Sequence, residues 1–384
     1  MVLYYFYGKD TADKQQCPTK LEYARAKNIQ NDTKPQKIMP KTVIDIVFAN
    51  MVIQRRFMKT IAIVGACGLV GDKLMDLLSE RLPYVNVRLF GNSSVGTRVL
   101  FRNKPTLIED CKALLDGGVD YAMFMATNEV AQKYIPILIK RGVTCIDNSS
   151  AFRMHKGVPL VVPCINGELI KDAKLIANPN CSTIQVVIAV NALKEMQPTK
   201  MTAVTYQSVS GAGKLGIADL SQQRNYGKLA CFSHPIFDNV IPCIGKIQSD
   251  GFTDEERKLL NESRKILNMP RLKVNSFCAR IPVTVGHGVF VNLQLKEKVD
   301  LIKIRNLLKN APNVLLFDDA DKGVYPMPIM MRNTKYVGVG RITKDPTANA
   351  VNFFVVADNL LRGASYNALE ILIGKLKYDG EYYE

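Results

Sequence analysis

From Lys59 onward, short and almost wholly apolar segments alternate with amphipathic ones, and this alternation limits the fold more than any other feature of the chain. Buried strands are predicted at residues 60–66, 87–90, 121–125 and 143–146, with helices at residues 70–81 and 128–140. Strands without a polar face are typical of a parallel sheet that helices cover on both sides. The sequence therefore predicts an α/β fold that begins with a Rossmann-like dinucleotide-binding domain.

The pattern changes after Cys181, where a helix at residues 182–194 precedes a series of long alternating strands. These strands are predicted at residues 201–209, 274–281, 289–296, 336–342 and 351–356. Few helices separate them, which is typical of an α+β domain with a mixed sheet. We therefore expect a dinucleotide-binding domain at residues 58–180, completed by a C-terminal helix within residues 358–384, and a second domain at residues 181–357.

Residues 1–57 sustain neither a helical nor a strand period. A targeting peptide is one interpretation, but such peptides are poor in acidic residues. The acidic residues of this segment include Asp10, Asp13, Glu22, Asp32 and Asp45. The alternatives are a poorly ordered extension and a stretch upstream of a natural start at Met58. We expect a poorly ordered N-terminal extension.

The composition argues against several classes of protein. The chain has 384 residues, 47% of them hydrophobic, so it is long enough for two domains with separate cores. Its net charge of +16 comes from basic residues spread along the chain without a nucleic-acid motif, and such a surface also attracts phosphate ligands. No apolar run reaches the roughly 18 to 20 residues of a membrane span. We expect no nucleic-acid partner, no membrane segment and a cytoplasmic location.

The cysteines are scattered along the chain and form no C-x-x-C pair. They are Cys17, Cys67, Cys111, Cys145, Cys164, Cys181, Cys231, Cys243 and Cys278. An odd number without close pairs is typical of reduced cytosolic thiols rather than of a disulfide framework or a zinc site. We therefore expect no metal.

A glycine-rich turn joins the first predicted strand to the first predicted helix. At this position of a βαβ unit, glycines let the backbone approach a pyrophosphate, and the helix N-terminus supplies partial positive charge. The spacing is G-x-x-G-x-x-G rather than the usual G-x-G-x-x-G, so a tight turn with close helix packing is the alternative. We predict that a dinucleotide cofactor binds at Gly65, Cys67, Gly68, Leu69, Val70 and Gly71.

The loop after the second predicted strand bears on the choice of dinucleotide. An NAD-specific enzyme usually has an acidic residue there, which binds the ribose hydroxyls. This chain instead has Gly91-Asn92-Ser93-Ser94 and then Arg98. The missing carboxylate favours NADP over NAD, with Ser93 and Ser94 as candidate ligands of the 2′-phosphate. Small polar residues in a loop also occur without any such function.

Cys181 lies where the extended segment Ala177-Asn178-Pro179-Asn180 gives way to an apolar helix. A thiol at a helix N-terminus is close to the helix dipole and to unpaired backbone N–H groups, which lower its pKa and can stabilise an oxyanion. We therefore expect a nucleophile of lowered pKa. The alternative is that Cys181 is a small buried hydrophobic residue, as many cysteines are.

A thiolate that takes part in acyl transfer needs a base, and the chain has three histidines. His155 lies in a polar loop and His234 in a proline-rich one. His287 lies at a break between two predicted strands, where a turn could direct its ring into a cleft. The residues alone leave open whether His287 is the base or a turn histidine without a role.

Five segments, in this order, resemble the aspartate-semialdehyde dehydrogenases: residues 65–71, 178–185, 206–213, 280–287 and 358–364. The resemblance implies that the chain forms L-aspartate 4-semialdehyde and orthophosphate from 4-phospho-L-aspartate and NADPH, at the branch towards lysine, threonine and methionine. It implies that Cys181 forms a thioester and that His287 is the acid and base. It also implies that residues 181–357 form the catalytic and dimerisation domain of a homodimer.

The resemblance further implies residues that bind the substrate. Arg280 would pair with the α-carboxylate through a bidentate guanidinium, and Glu255 with the α-ammonium group. Glu255 and Lys258 share a face of a predicted helix, so Lys258 would bind the phosphate together with Arg153 and Asn180. Without the resemblance, Glu255 and Lys258 are interpreted as an ordinary solvated pair.

Other site residues also follow from the resemblance. Gln207 resembles the residue that positions the substrate near the thiol. Residues that resemble those in contact with the nicotinamide are Ser210, Gly211 and Asn359.

The chain also departs from the family pattern. Gly288 and Val289 stand where a serine and a glutamate usually follow the histidine, which could loosen the orientation of His287. Cys67 stands where a threonine is usual, which removes a hydroxyl from the glycine-rich turn. The basic residue often found after the second strand is missing at Ser93 and Ser94, so the preference for NADP is less firm than the binding of NADP or NAD. The segment 213–235 is shorter than in many relatives.

Two other functions stay open. N-acetyl-glutamyl-phosphate reductase shares the two-domain plan and a cysteine nucleophile. Its cysteine usually lies in a Gly-Cys-Tyr-Pro segment, unlike Asn180-Cys181-Ser182-Thr183, and an acetylated amine would leave Glu255 without a cationic partner. A noncatalytic relative that keeps the fold as an interaction protein would have little need for both a nucleophile and a base.

Overall fold

A computed structural model describes residues 58–222 and 228–382, and they form two β-sheets with flanking helices. The predicted N-terminal extension, residues 1–57, lies outside the described residues. Among the helices of the described residues, none is long and apolar enough to cross a membrane.

The first sheet has seven strands in the order β3-β4-β2-β1-β5-β6-β7. They are β1 Thr60–Val64, β2 Asn86–Gly91, β3 Arg98–Phe101, β4 Lys104–Asp110, β5 Tyr121–Phe124, β6 Thr144–Asp147 and β7 Leu175–Ala177. All neighbours pair in parallel except β3 and β4. This confirms the predicted parallel sheet, whereas the β3–β4 hairpin was not predicted. Its turn uses Arg102 and Asn103 at positive φ, without the glycine that usually signals such a turn.

The inner strands β1, β5 and β6 are buried at nearly every position because both faces of the sheet are covered. In β1, Ile61 and Ile63 face one hydrophobic cluster while Ala62 and Val64 face another. Helix α1, Leu69–Arg81, packs in the first cluster, and helix α2, Asn128–Lys140, packs in the second. The carboxyl ends of the parallel strands thus meet at one edge of the sheet, where ligands usually bind.

The second sheet has six strands in the order β11-β12-β13-β10-β8-β9 and is mixed, as predicted. They are β8 Pro198–Gln207, β9 Lys273–Arg280, β10 His287–Leu295, β11 Val314–Phe317, β12 Val337–Lys344 and β13 Ala350–Ala357. The β8–β9 and β11–β12 pairs are parallel, and the others are antiparallel. The helices after α2 are α3 Pro163–Asn166, α4 Cys181–Ala192, α5 Gly213–Gln222, α6 Asp254–Leu267, α7 Leu301–Lys309, α8 Pro328–Met331 and α9 Tyr366–Tyr378.

Helix α4 is the central helix of the second sheet. It is buried at every position from Ser182 to Val190, so it has no solvated face. Its aliphatic side chains share one hydrophobic cluster with the inward side chains of β8 and β10 and with Leu259 of α6. The residue at its N-terminus, Cys181, is therefore attached to one of the most firmly packed elements of the fold.

The C-terminal segment returns to the first sheet. Helix α9 contributes Leu369 and Leu372 to the cluster that contains Ile61 and Leu74. A single helix was predicted from Asn359 onward, but a π-helical turn, Leu361–Ser365, precedes α9. Such turns are frequent at functional sites.

Candidate active site

Cys181 is the first residue of α4, directly after the loop that follows β7. Asn180 caps the helix, because its Oδ1 accepts hydrogen bonds from the backbone N–H groups of Ser182 at 2.9 Å and Thr183 at 3.2 Å. The π-helical turn packs directly against Cys181, since a Cβ on Gly363 would lie 3.0 Å from the Cβ of Cys181. Glycine thus lets the turn approach the cysteine closely.

The pKa of the Cys181 thiol is not lowered, as the sequence led us to expect, but raised to about 11. Burial is the main cause, and the nearby carboxylate of Glu255 adds to it. The positive charges of Arg280 and Arg153 act in the opposite direction but are outweighed. The backbone N–H of Ser182 also acts to lower this pKa but does not offset burial, so the prediction of a lowered pKa is wrong.

Glu255 is 8% exposed and accepts three hydrogen bonds. Asn180 Nδ2 donates to Oε1 at 2.8 Å, Gln207 Nε2 donates to the same oxygen at 3.1 Å, and Lys258 Nζ donates to Oε2 at 3.1 Å. Burial alone would raise the pKa of this carboxyl, but Lys258 and the amide donors hold it below its usual value. Glu255 is therefore a buried carboxylate that stays ionised, as a partner for an ammonium group must be.

Helix α6 begins with a capping box formed by Thr253 and Glu256. Because the box fixes the start of the helix, Glu255 and Lys258 point inwards on one face. Burial lowers the pKa of Lys258, but Glu255 and Asp254 outweigh this and raise it above its ordinary value. The pair is thus charged and mostly buried, unlike the solvated pair that the sequence alone would have suggested.

Arg153 is held by three acceptors. Its Nε donates to Asn178 O at 2.9 Å, its Nη2 to Asn148 O at 2.8 Å, and its Nη1 to Glu262 Oε1 at 3.0 Å. The other oxygen of Glu262 accepts the backbone N–H of Asn180 at 2.7 Å. Glu262, only 1% exposed, therefore joins two of the predicted substrate-binding residues.

Sequence reasoning missed Glu262, although a signal was present. Glu255, Lys258, Glu262 and Lys265 recur every three or four residues and so lie on one face of α6. The Nζ of Lys265 donates to the carbonyl oxygen of Arg153 at 2.6 Å and to that of Val158 at 2.7 Å. This face of α6 thus fixes the side chain and the backbone of Arg153.

Arg280, the last residue of β9, is 6% exposed. Its Nη1 donates to Ser208 O at 2.8 Å, and its guanidinium carbon lies 5.8 Å from the centre of the Phe232 ring. A Cβ on Gly211 would lie 2.7 Å from this Nη1 and 3.4 Å from His287 Nε2. Gly211 therefore keeps open the space between the guanidinium and the imidazole.

His287, the first residue of β10, is fully buried and next to Arg280. Its Nδ1 accepts a hydrogen bond from Ser208 N at 3.0 Å and lies 3.1 Å from Ser208 Oγ. Its Nε2 has no hydrogen-bond partner among the described residues. Burial, with a further contribution from Arg280, lowers the pKa of the imidazole to about 3. His155 and His234 are exposed, so among the histidines His287 is the one that the fold places at this site.

Asn359 connects the loops around His287. Its Oδ1 accepts hydrogen bonds from Ser208 Oγ at 3.0 Å, Ser210 Oγ at 3.1 Å and Gly286 N at 2.9 Å. Ser210 and Asn359 were predicted to contact a nicotinamide, and both are 3% exposed. Their side chains bond to each other and to Ser208, so they also hold the histidine in place.

The sequence of this chain matches the models and members of one known protein family. Residues 60–173 match the family model described as "Semialdehyde dehydrogenase, NAD binding domain", and residues 191–362 match "Semialdehyde dehydrogenase, dimerisation domain". The chain is 40% identical to an aspartate-semialdehyde dehydrogenase of Aquifex aeolicus over 81% of this chain and 96% of the relative. It is 38% identical to one of Bacillus subtilis over 81% and 95%. The chain belongs to the aspartate-semialdehyde dehydrogenase family.

A solved structure agrees with this assignment. Aspartate semialdehyde dehydrogenase II of Vibrio cholerae, complexed with ASA, is 34% identical, with a TM-score of 0.80 over 85% of this chain and 99% of that one. The protein is therefore an oxidoreductase of the aspartate-semialdehyde dehydrogenase family, with an NAD(P)-binding domain and a dimerisation domain.

The glycine-rich turn of this dehydrogenase depends on two glycines that allow close backbone packing. Gly65 has a φ of 90°, and a Cβ there would clash with the carbonyl oxygen of Met125. A Cβ on Gly71 would clash with the carbonyl oxygen of Gly65, so α1 packs closely on β1. Gly68 precedes α1 without a side-chain cap, which leaves the first backbone N–H groups of the helix available to a phosphate. Leu69, Val70 and Cys67 complete the turn.

The loop after β2 is where Ser93 and Ser94 were predicted to bind a 2′-phosphate. Ser93 is exposed, whereas Ser94 is partly buried because its hydroxyl packs over the Cα of Gly91. Arg98 is exposed at the start of the edge strand β3. The exposed groups in this region that could bind a phosphate are therefore the Ser93 hydroxyl and the Arg98 guanidinium.

The family departure at Gly288 has a packing reason. A Cβ on Gly288 would lie 2.5 Å from the Phe354 ring on the neighbouring strand β13, so the glycine and the phenylalanine are complementary. His287 is oriented instead by Ser208 and Asn359. The expectation that Gly288 could loosen His287 is not supported by these contacts.

The pairing of Glu262 predicts a test. Glu262→Gln removes the charge opposite Arg153 and leaves the buried guanidinium unneutralised, so we expect the free energy of unfolding to fall by about 3 kcal/mol. We also expect the activity to fall, because Glu262 also accepts the backbone N–H of Asn180. Denaturant titration and initial rates measure the two effects. The control is Glu195→Gln, which breaks the exposed Lys303–Glu195 pair. An unchanged stability in Glu262→Gln would show that the pair contributes nothing.

Proposed function

We propose that this enzyme reduces 4-phospho-L-aspartate to L-aspartate 4-semialdehyde and orthophosphate with NADPH, through a thioester on Cys181, in lysine, threonine and methionine biosynthesis. The observation that carries the proposal is the set of charged groups that act on the Cys181 thiol: Glu255, Arg280 and Arg153. One carboxylate and two guanidinium groups match the ammonium, carboxylate and phosphate groups of this substrate. The ionised state of Glu255 favours a free amine over an acetylated one.

In the proposed reaction, Arg280 binds the α-carboxylate and Glu255 binds the α-ammonium group. Gln207, whose amide already donates to Glu255, holds the substrate carbonyl near the thiol. Cys181 attacks that carbonyl, and the C–O bond to the phosphate breaks as the C–S bond forms. Lys258, Arg153 and Asn180 bind the departing phosphate.

His287 moves the protons in this scheme. Its Nε2 is the atom with no partner, so it takes the proton from the thiol and returns it to the Cys181 sulfur when the C–S bond breaks. Bound NADPH supplies the hydride that reduces the thioester to the aldehyde. The residues that would hold the cofactor are Gly65, Cys67, Gly68, Leu69, Val70 and Gly71 at the pyrophosphate, Ser93 and Ser94 at the 2′-phosphate, and Ser210, Gly211 and Asn359 at the nicotinamide.

The function is tested in the reverse direction by following the absorbance of the reduced nicotinamide. Aspartate semialdehyde, phosphate and NADP should together give NADPH, and omission of phosphate should stop the reaction. NAD in place of NADP should give a lower kcat/KM, since no acidic residue follows β2. A folded enzyme that is inactive with both dinucleotides would refute the proposed reaction, and equal rates would refute the NADP preference.

We also propose that the enzyme is a cytoplasmic homodimer. The eight cysteines among the described residues are free, which suits a reducing compartment. The dimer would form through the outer face of the second sheet, which exposes Tyr206, Phe277 and Phe290. The strand register places Phe290 beside Val204, and Val204 beside Phe277, so the patch is continuous.

Phe290→Asp is expected to give a monomer. An unpaired charge in the middle of an apolar interface should raise the dissociation constant of the dimer by at least about 100-fold. Sedimentation velocity measures the change. Ile302→Asp, at a residue of α7 that is 75% exposed, is the matched control and should remain dimeric. If Phe290→Asp also remains dimeric, the interface lies elsewhere.

A further inference from the structure

The proposed function, on which this inference rests, requires His287 to accept and donate a proton at the same atom. Its Nε2 is the ring nitrogen without a partner among the described residues, so the exchange with Cys181 and the substrate occurs there. A neutral imidazole carries one proton and has one basic nitrogen. Nε2 can accept a proton only while the other nitrogen, Nδ1, carries one. The chemistry of His287 therefore depends on the groups that face Nδ1.

Two groups of Ser208 face Nδ1, and the backbone of Gly286 also acts on the ring. The backbone N–H of Ser208 lies 3.0 Å from Nδ1 and can only donate a hydrogen bond. It therefore stabilises the tautomer in which Nδ1 is bare and Nε2 is protonated, which cannot act as a base. The Ser208 hydroxyl lies 3.1 Å from Nδ1 and can either donate or accept. It is thus the side-chain group that can accept a hydrogen bond from a protonated Nδ1.

The Ser208 hydroxyl can accept this bond because its own proton has another acceptor. Asn359 Oδ1 lies 3.0 Å from Ser208 Oγ. The backbone N–H of Gly286 and the hydroxyl of Ser210 hold that amide oxygen in place. Ser208 is fully buried, so water does not readily replace either contact.

We propose that Ser208 is a positioning residue that selects the basic tautomer of His287. In this tautomer, Nδ1–H donates to Ser208 Oγ, and the Ser208 hydroxyl donates to Asn359 Oδ1. When the Cys181 S–H bond breaks, its proton moves to Nε2, and the imidazolium keeps the same bond to Ser208. When Nε2 returns the proton, the ring is again the neutral base. The charged groups that act on His287, Arg280 and Glu255, are unchanged through this cycle.

Ser208→Ala is the test, because it removes the hydroxyl and keeps the backbone N–H that favours the bare Nδ1. We expect the alkylation of Cys181 by iodoacetamide at neutral pH to slow by about tenfold to 100-fold, as the loss of one buried hydrogen bond implies. In protein labelled with ¹⁵N-histidine, the Nδ1 shift of His287 should move to the value of an unprotonated nitrogen. The control is Ser276→Ala, which removes a buried hydroxyl that donates to Glu256 O. It should change neither result.

These measurements need neither dinucleotide nor aspartate semialdehyde, so they test the inference separately from the proposed reaction. A normal rate of alkylation in folded Ser208→Ala would overturn it. The wild-type protein tests it independently of whether the variant folds. A ¹⁵N spectrum that shows His287 only as the Nε2–H tautomer would also overturn the role of Ser208.

Discussion

Replacement of Cys181 by serine is expected to lower kcat by about 10⁴-fold or more, because nucleophile and base act as a unit and the loss of either removes nearly all covalent catalysis. The hydroxyl of serine fits the same space but is a much weaker nucleophile than a thiolate at neutral pH. The variant should fold and bind the cofactor normally. Initial rates and a dinucleotide titration, made in parallel, separate these effects.

The matched control is Cys243→Ser, at a partly buried cysteine of a loop that takes no part in the site. It should keep the activity of the unmodified enzyme. Substantial turnover by Cys181→Ser would show that catalysis does not proceed through a thioester on this residue. It would leave the family assignment intact but would require a different mechanism.

The raised pKa of Cys181 makes a second readout available. Because burial raises the pKa of the Cys181 thiol to about 11, the thiol is almost entirely protonated at pH 7. Direct alkylation should therefore be slow at neutral pH and accelerate as the pH rises towards 11. His287, with a pKa of about 3, does not itself populate the thiolate; it acts as a base by accepting the proton while the Cys181 sulfur attacks an electrophile.

The sequence predicted the elements whose burial is uniform. The strands β1, β5 and β6 are buried at nearly every position because helices cover both faces of their sheet, and such mostly apolar runs are easily recognised. The predicted bounds of α2 agree with the structure. The β3–β4 hairpin was missed because it lies at an exposed edge and turns through Arg102 and Asn103 without a glycine.

The site residues could be predicted only where they lie in segments that resemble the motifs of a known family. The structure brings Cys181, Arg280 and Glu255 together, but whether each performs its predicted role remains a prediction. Glu262 could not be connected with Arg153 because the two are 109 residues apart and meet only in the fold. The prediction of a lowered pKa for Cys181 failed for a related reason, since the burial of the thiol depends on tertiary structure.

Arg280→Lys is expected to lower kcat/KM for aspartate semialdehyde by about 100-fold to 1000-fold, or about 3 to 4 kcal/mol. The guanidinium already donates from Nη1 to Ser208 O at 2.8 Å, and its remaining N–H groups can bind a carboxylate. A lysine ammonium has one nitrogen and cannot reach both acceptors with the same geometry. At 6% exposure, water does not readily replace the lost donors. Arg271→Lys, at an exposed arginine, should leave the kinetics unchanged.

A substrate without the α-carboxylate distinguishes binding by Arg280 from a general disturbance of the site. The analogue 3-aminopropanal keeps the aldehyde and the ammonium group. If Arg280 acts through the carboxylate, the wild-type enzyme and Arg280→Lys should have the same low kcat/KM for this analogue. The interaction between Arg280 and the carboxylate is absent in both cases. A further loss of the same size in Arg280→Lys with the analogue would contradict carboxylate binding. It would show that Arg280 acts mainly by fixing Ser208, and through Ser208 the ring of His287.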